Sequence, residues 1–262
     1  MTTRTLKERV LAGERVLGAM ILEFFVPALP QLTRAAGAEF LFLDMEHTGA
    51  TMETLKSVIA GCRGIGLAPI VRVPATEYDF IARALDIGAH GVMVPIVETR
   101  EQAEFIVSCS RYPPEGRRGA AFGFAHDDYA PGDVTEKIAA AHARTMIMAL
   151  IETERGAANV DQIAAVAGID VLWLGHFDLT NFLGIPGEFK HPRFLAAVDR
   201  IVAACERNGK TAGFLTTDES WVHEYAAKGF RCFAYGVDQL MLQQTLRSGL
   251  GLLRDAVNTG KR

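Results

Sequence analysis

Short apolar runs recur along the chain, and stretches with helical spacing separate them. The runs are Leu17–Leu22, Phe40–Asp44, Pro69–Val73, Gly91–Val97, Met146–Ile151, Val171–Leu174, Thr211–Leu215 and Cys232–Tyr235. They are mostly continuous rather than alternating. Strands covered on both faces read this way, which favours a parallel sheet.

Helices fit the gaps. Pro27 and Pro30 open a first helix that Gly37 closes. A second starts at Thr51 and stops at Gly61, and Thr76 caps a third over Glu77–Asp86, ended by Gly88. Further helices start at Thr99 and cover Val160–Ala167, Pro192–Arg207 and Asp218–Lys228; a last one runs from near Asp238 to near Asn258. Strands that alternate with helices in this way predict an α/β fold, a single-domain (β/α)8 TIM barrel over residues 1–262. The rival is a doubly wound open sheet, but its Gly-x-Gly-x-x-Gly turn is absent. Arg111–Pro131 is long for a barrel connection and reads as a lid or an interface loop.

Composition narrows the function. The 262 residues are 49% hydrophobic and 22% charged with a formal charge of -4, so nothing attracts nucleic acid or anionic membrane in general. Cys62, Cys109, Cys205 and Cys232 are widely spaced, which reads as buried thiols rather than a zinc cluster or disulfides. The polar start is no signal peptide, and no apolar stretch approaches the ~20 residues of a membrane span. A cytoplasmic protein is the expectation.

Candidate chemistry sits where apolar runs end. Glu152 and Asp178 close two of them, His47 and Arg72 two others. In a parallel barrel those ends share one face. Two carboxylates without neighbouring thiols or imidazoles suit a hard ion, Mg2+, Mn2+ or Co2+. The competing reading makes them helix caps or partners of Arg155. Arg72 offers a fork to a carboxylate or an enolate oxygen, or else forms a core ion pair with Asp44 or Glu46. His47 can move a proton near neutral pH, with Asp44, Glu46 and Asp86 as candidate orienting partners. His126 belongs to the segment read as a lid. The turns after strands seven and eight have few glycines and extra acids, which disfavours a phosphate handle. No strand-end lysine offers a Schiff base.

These groups resemble the HpcH/HpaI family of class II, metal-dependent 2-oxo acid aldolases, of the 4-hydroxy-2-oxoheptanedioate aldolase kind. The resemblance rests on Asp44-Met-Glu-His47, Val71-Arg-Val-Pro74, Leu85-Asp-Ile-Gly88, Val94-Pro95, Arg111–Gly119, Ile151-Glu-Thr153, Gly175-His-Phe-Asp-Leu179 and Gly236-Val-Asp238. It implies a last helix exchanged between subunits, in a homohexamer built as a trimer of dimers. Glu152 and Asp178 would bind the divalent ion. Arg72 would hold the oxo-acid oxygen, and His47, oriented by Asp86, would transfer the proton. Backbone N–H groups at Phe177 and Asp178 would take the substrate carboxylate, and Leu215 would border the aldehyde pocket. Two positions depart from the family pattern: Leu150, often glutamine, and His176, often proline, which would add a polar group beside the metal.

The function this implies is metal-dependent formation or cleavage of 4-hydroxy-2-oxo acids, from pyruvate or a related 2-oxo acid such as hydroxypyruvate and an aldehyde. The alternatives are a lyase or synthase whose electrophile is a thioester or a second oxo acid, and a barrel that binds an oxo acid without catalysis.

Overall fold

A computed structural model describes residues 4–259. The first half runs α1 (Leu6–Leu11), β1 (Val16–Ile21), α2 (Leu29–Ala35), β2 (Phe40–Asp44), α3 (Met52–Gly61), β3 (Ala68–Arg72), α4 (Tyr78–Asp86), β4 (Gly91–Val94), α5 (Arg100–Ser110) and α6 (Val134–Arg144). The second half runs β5 (Met146–Ile151), α7 (Glu154–Ala158), α8 (Val160–Ala164), β6 (Val171–Leu174), α9 (His176–Phe182), α10 (Pro192–Asn208), β7 (Thr211–Thr216), α11 (Glu219–Lys228), β8 (Cys232–Val237) and α12 (Asp238–Thr259). The strands pair in sequence order, all parallel, and β8 closes onto β1. This is the expected (β/α)8 barrel, with helices packed around it.

Alternation along each strand divides the apolar residues into two cores. The outward-facing residues meet the helices in one large cluster. The inward-facing ones, among them Phe40, Phe42, Ile70, Met93, Met146, Met148, Leu150 and Trp173, fill the barrel. Phe42 and Trp173 meet edge to face at 4.7 Å. A Cβ at Gly213 would lie 2.2 Å from the Trp173 ring, so that neighbour must be glycine. One inward step above this filling, β2, β3 and β5 lead to Asp44, Arg72 and Glu152. Of the side chains singled out at strand ends, Arg72 and Glu152 belong to this uppermost inward layer, whereas His47 follows β2 in a loop and Asp178 lies on α9.

The other end is closed by α1. Leu6 and Val10 join the inner core. Between them Lys7 pairs with Asp170 at 3.0 Å and donates to the Thr145 carbonyl at 2.9 Å, while Asp170 also accepts from the Ile147 N–H.

Several sequence expectations are corrected. Helix α4 begins at Tyr78, and Glu77 rather than Thr76 stands at its cap, without a side-chain bond. Helices α1, α6, α7 and α9 were not anticipated; the two within βα connections have only five and seven residues, too short to leave a periodic pattern. Arg111–Pro131 is no lid over the strand ends. It follows α5, which runs from the C-terminal face back to the N-terminal one, so the segment emerges at the base, where Arg118 and His126 are buried.

Helix α12 touches the barrel mainly at its start, against β8 and β1. Its stripe of Leu246, Leu250, Leu253 and Val257 is exposed in the single chain. Asp238, at its first residue, accepts from the Leu22, Glu23 and Phe24 N–H groups at 3.0, 3.1 and 2.7 Å. One buried carboxylate therefore ties the helix to the loop after β1. Asp238→Ala strands three donors, and we expect urea unfolding to show a loss of about 2–4 kcal/mol.

Candidate active site

Asp44 and Arg72 are direct neighbours in the β2–β3 register. Asp44 has no exposed surface. Its Oδ1 accepts from Arg72 Nε at 2.6 Å and from the Glu46 N–H at 3.0 Å, and its Oδ2 accepts from the His47 N–H at 3.1 Å. One carboxylate thus aims the guanidinium and folds the loop that presents Glu46 and His47. Arg72 forms the ion pair that one reading of it expected, with both Asp44 and Glu46, and it stands at the barrel mouth. Burial works against its charge, but the hydrogen bond it donates to Asp44 and the charges of Asp44, Glu46 and Glu152 keep its pKa above the ordinary value.

Glu46 is the acid whose position the sequence left open. Its Oε2 lies 3.2 Å from Arg72 Nη1 and 3.6 Å from His47 Nε2. Those separations allow ionic attraction, yet the buried oxygen makes no hydrogen bond. Burial raises the Glu46 pKa against the pull of Arg72.

Glu152 is 3% exposed. Its Oε1 accepts from the Ile96 N–H at 2.8 Å. Ile96 holds φ at 52°, a left-handed conformation that costs a β-branched residue energy, and this turn aims the N–H at the acid. Burial pushes the Glu152 pKa to about 8; the Ile96 bond opposes the rise, and the charges of Glu46 and Asp178 add to it. Gly175 is the floor beneath: a Cβ there would lie 2.5 Å from Glu152 Cβ and 2.6 Å from Oε2. Asp178 stands in the first turn of α9 rather than at the strand end. Arg155 is drawn to Glu98 at 3.5 Å and neutralises neither acid.

Of the other expected site residues, Phe177 is exposed on α9, and Leu215 is half-buried against the barrel filling. Asp86 is not brought to His47 within the chain. It ends α4 at the base of the barrel, where Arg118 donates to its Oδ1 at 2.7 Å. The carboxylate nearest the His47 ring is Glu46. His176 is also corrected: its ring turns away into a pocket of Phe177, Phe189, Phe214 and Trp221 at centroid distances of 4.5 to 5.5 Å. Burial there lowers its pKa to about 4. Leu150 points into the barrel beneath Glu152.

The donor set fits a hard divalent cation. Glu152 is a buried acid held beside two further acids, and a cation removes the cost of ionising it. Among the described residues no cluster of three or more His, Cys, Asp or Glu side chains is arranged to hold a metal. Two carboxylates leave positions for water or a chelating substrate. Beside them lie a guanidinium, a group able to stabilise a developing oxyanion, and an imidazole, a group able to move a proton.

The chain as a whole is similar to known proteins. Residues 22–244 match the family model described as HpcH/HpaI aldolase/citrate lyase. The chain is 33% identical over 253 residues to a hydroxypyruvate/pyruvate aldolase of Roseobacter denitrificans, covering 93% of this chain and 94% of that one. Among solved structures, the HpcH/HpaI aldolase from Desulfitobacterium hafniense DCB-2 superposes with a TM-score of 0.92 at 28% identity, covering 96% and 97%. The citrate synthase SbnG superposes with a TM-score of 0.87 at 29% identity, covering 97% and 99%. The fold and site define an aldolase-type enzyme on a (β/α)8 barrel. The chain belongs to the HpcH/HpaI aldolase/citrate lyase family.

Gly175→Ala tests how tightly the acid is placed. The added methyl group displaces the Glu152 carboxylate, and turnover falls about 100-fold while circular dichroism stays native. Full activity in the folded variant would contradict this geometry.

Proposed function

We propose that the chain is a divalent-metal-dependent aldolase. It forms or cleaves 4-hydroxy-2-oxo acids, from pyruvate or a related 2-oxo acid, hydroxypyruvate included, and an aldehyde. The observation that carries the reading is Glu152, buried beside Asp178 and Glu46 at the barrel mouth that Arg72 enters. Glu152 and Asp178 hold the ion, Mg2+ or Mn2+ with Co2+ as a further candidate. When bound, it supplies Lewis acidity toward the ketone oxygen and carboxylate of the oxo acid.

The chain's own groups do the rest. Arg72, its charge secured by Asp44, stabilises the oxygen that becomes negative as the carbon next to the ketone loses its proton. His47, with Glu46 as neighbour, moves that proton and later exchanges one with the aldehyde oxygen. Backbone N–H groups at Phe177 and Asp178, which the first turn of α9 leaves without an intrahelical acceptor, receive the substrate carboxylate. Leu215 borders the aldehyde. A role for Asp86 at His47 requires a second copy of the chain, since one chain keeps them at opposite ends of the barrel. The exposed apolar stripe of α12 supports the exchange of this helix between subunits, in a homohexamer built as a trimer of dimers.

A second reading keeps the enolate and changes the electrophile to a second oxo acid or a thioester; its support is the likeness to the citrate synthase SbnG. Turnover with an aldehyde panel, set against turnover with oxaloacetate or a thioester, separates the two.

Exchange of pyruvate methyl protons in deuterated water tests enolate formation. The wild-type chain exchanges them with Mg2+ or Mn2+ and stops after chelation. Glu152→Ala and Asp178→Ala abolish exchange, and Arg72→Ala lowers it about 100- to 1,000-fold. Exchange that persists at full rate after chelation would refute the metal assignment.

The raised Glu152 pKa also sets a pH dependence. Without a cation the folded state keeps the extra proton, so stability is lost as pH rises through about 8. A bound cation replaces that proton. The gain in Tm on adding Mg2+ therefore grows as pH rises toward about 8 and levels off above it; a gain independent of pH would contradict the assignment.

A further inference from the structure

At the end of the barrel away from Glu152, the starts of the strands frame a crevice of about 550 Å3. Arg4, Arg9, Arg34, Arg63 and Arg144 line it against two carboxylates, Glu39 and Asp128, in a chain whose formal charge is -4. The two acids are already engaged: Glu39 takes Arg9 at 2.5 Å, and Asp128 takes Arg63 at 3.1 Å. Arg4 turns to Glu14 at 2.5 Å.

Arg34 and Arg144 form no ion pair among the described residues. Arg34 donates from Nε and Nη1 to the carbonyls of Ile65 and Ala38 at 3.1 and 3.2 Å. Arg144 donates from Nη2 to the His126 carbonyl, and its Nε is buried with no partner. Carbonyls orient both guanidinium planes but supply no neutralising charge. Arg144 also lines an adjoining hollow of about 290 Å3 with His126. The His126 side chain is buried, and among the described residues neither ring nitrogen has a hydrogen-bond partner. Asp128 and Asp127 act on Arg144 only from beyond ion-pair distance, and guanidinium forks with open donors and no directly paired carboxylate are what a bidentate oxyanion completes.

We propose that this crevice is a second ligand site, for a small dianion of the phosphate or dicarboxylate kind, bound chiefly by Arg34 and Arg144. It is remote from the proposed catalytic groups and does not depend on their chemistry. Binding of a dianion there stabilises the folded chain by mass action.

The test is titration calorimetry of the full chain, loaded with Mg2+, with inorganic phosphate and separately with succinate at constant ionic strength. Saturable binding is expected. Arg34→Gln and Arg144→Gln each weaken it about tenfold or more, and Arg72→Gln leaves it unchanged. Preference for phosphate or for succinate identifies which oxyanion the forks fit. Arg34 is exposed, so its variant keeps the fold and decides the matter if Arg144→Gln does not fold. The proposal is overturned if neither anion binds saturably, if binding is unchanged in Arg34→Gln, or if Arg72→Gln abolishes it, which would place the anion at the catalytic end.

Discussion

A fully buried aspartate and an arginine on the next strand organise the mouth of this barrel. The Asp44–Arg72 bond joins β2 to β3 at matched register, and the remaining acceptor capacity of Asp44 folds the turn that carries Glu46 and His47. A buried pair of this kind is weak evidence for stability, because desolvation offsets much of its attraction. Its value here is orientation. The guanidinium is fixed before any substrate arrives, so little reorganisation is left for the moment of reaction.

That arrangement leaves the mouth short of positive charge. Asp44, Glu46, Glu152 and Asp178 are gathered around one arginine; burial raises the pKa values of Glu46 and Glu152, and the charges of neighbouring acids add to each rise. The fold supports this uncomfortable cluster with backbone devices: a left-handed Ile96 that turns its N–H onto Glu152, and a glycine at 175 that leaves room for the carboxylate. Strain of that kind persists where the surrounding structure holds it for a purpose.

The two ends of the barrel carry opposite chemistry. Carboxylates dominate the face of the strand C-termini, whereas arginines frame the face of the N-termini. The apolar filling between them, from Phe40 to Trp173, separates the two. Arg111–Pro131 belongs to the basic end, with Arg118 on Asp86 and Arg144 beneath His126. Helix α12 leaves an apolar stripe exposed.

Much of this was legible in the sequence. Strands buried on both faces must be apolar throughout, so the eight runs declared a parallel sheet, and their helical gaps declared a barrel. Their polar ends marked Arg72 and Glu152, because in a closed barrel the residue two beyond an inward apolar position also points inward. What sequence spacing does not record is which distant segment a group meets. Asp86 is fourteen positions from Arg72, yet the antiparallel run of α4 carries it to the other end of the barrel. His176 is two positions from Asp178, yet its ring turns into an aromatic pocket. The Ile96 N–H leaves no trace in any side chain. Spacing along a strand decides facing, and so the sequence determined the barrel and its inward acids; partners, charge balance and the arginine-lined base arise from through-space packing, which only the tertiary structure decided.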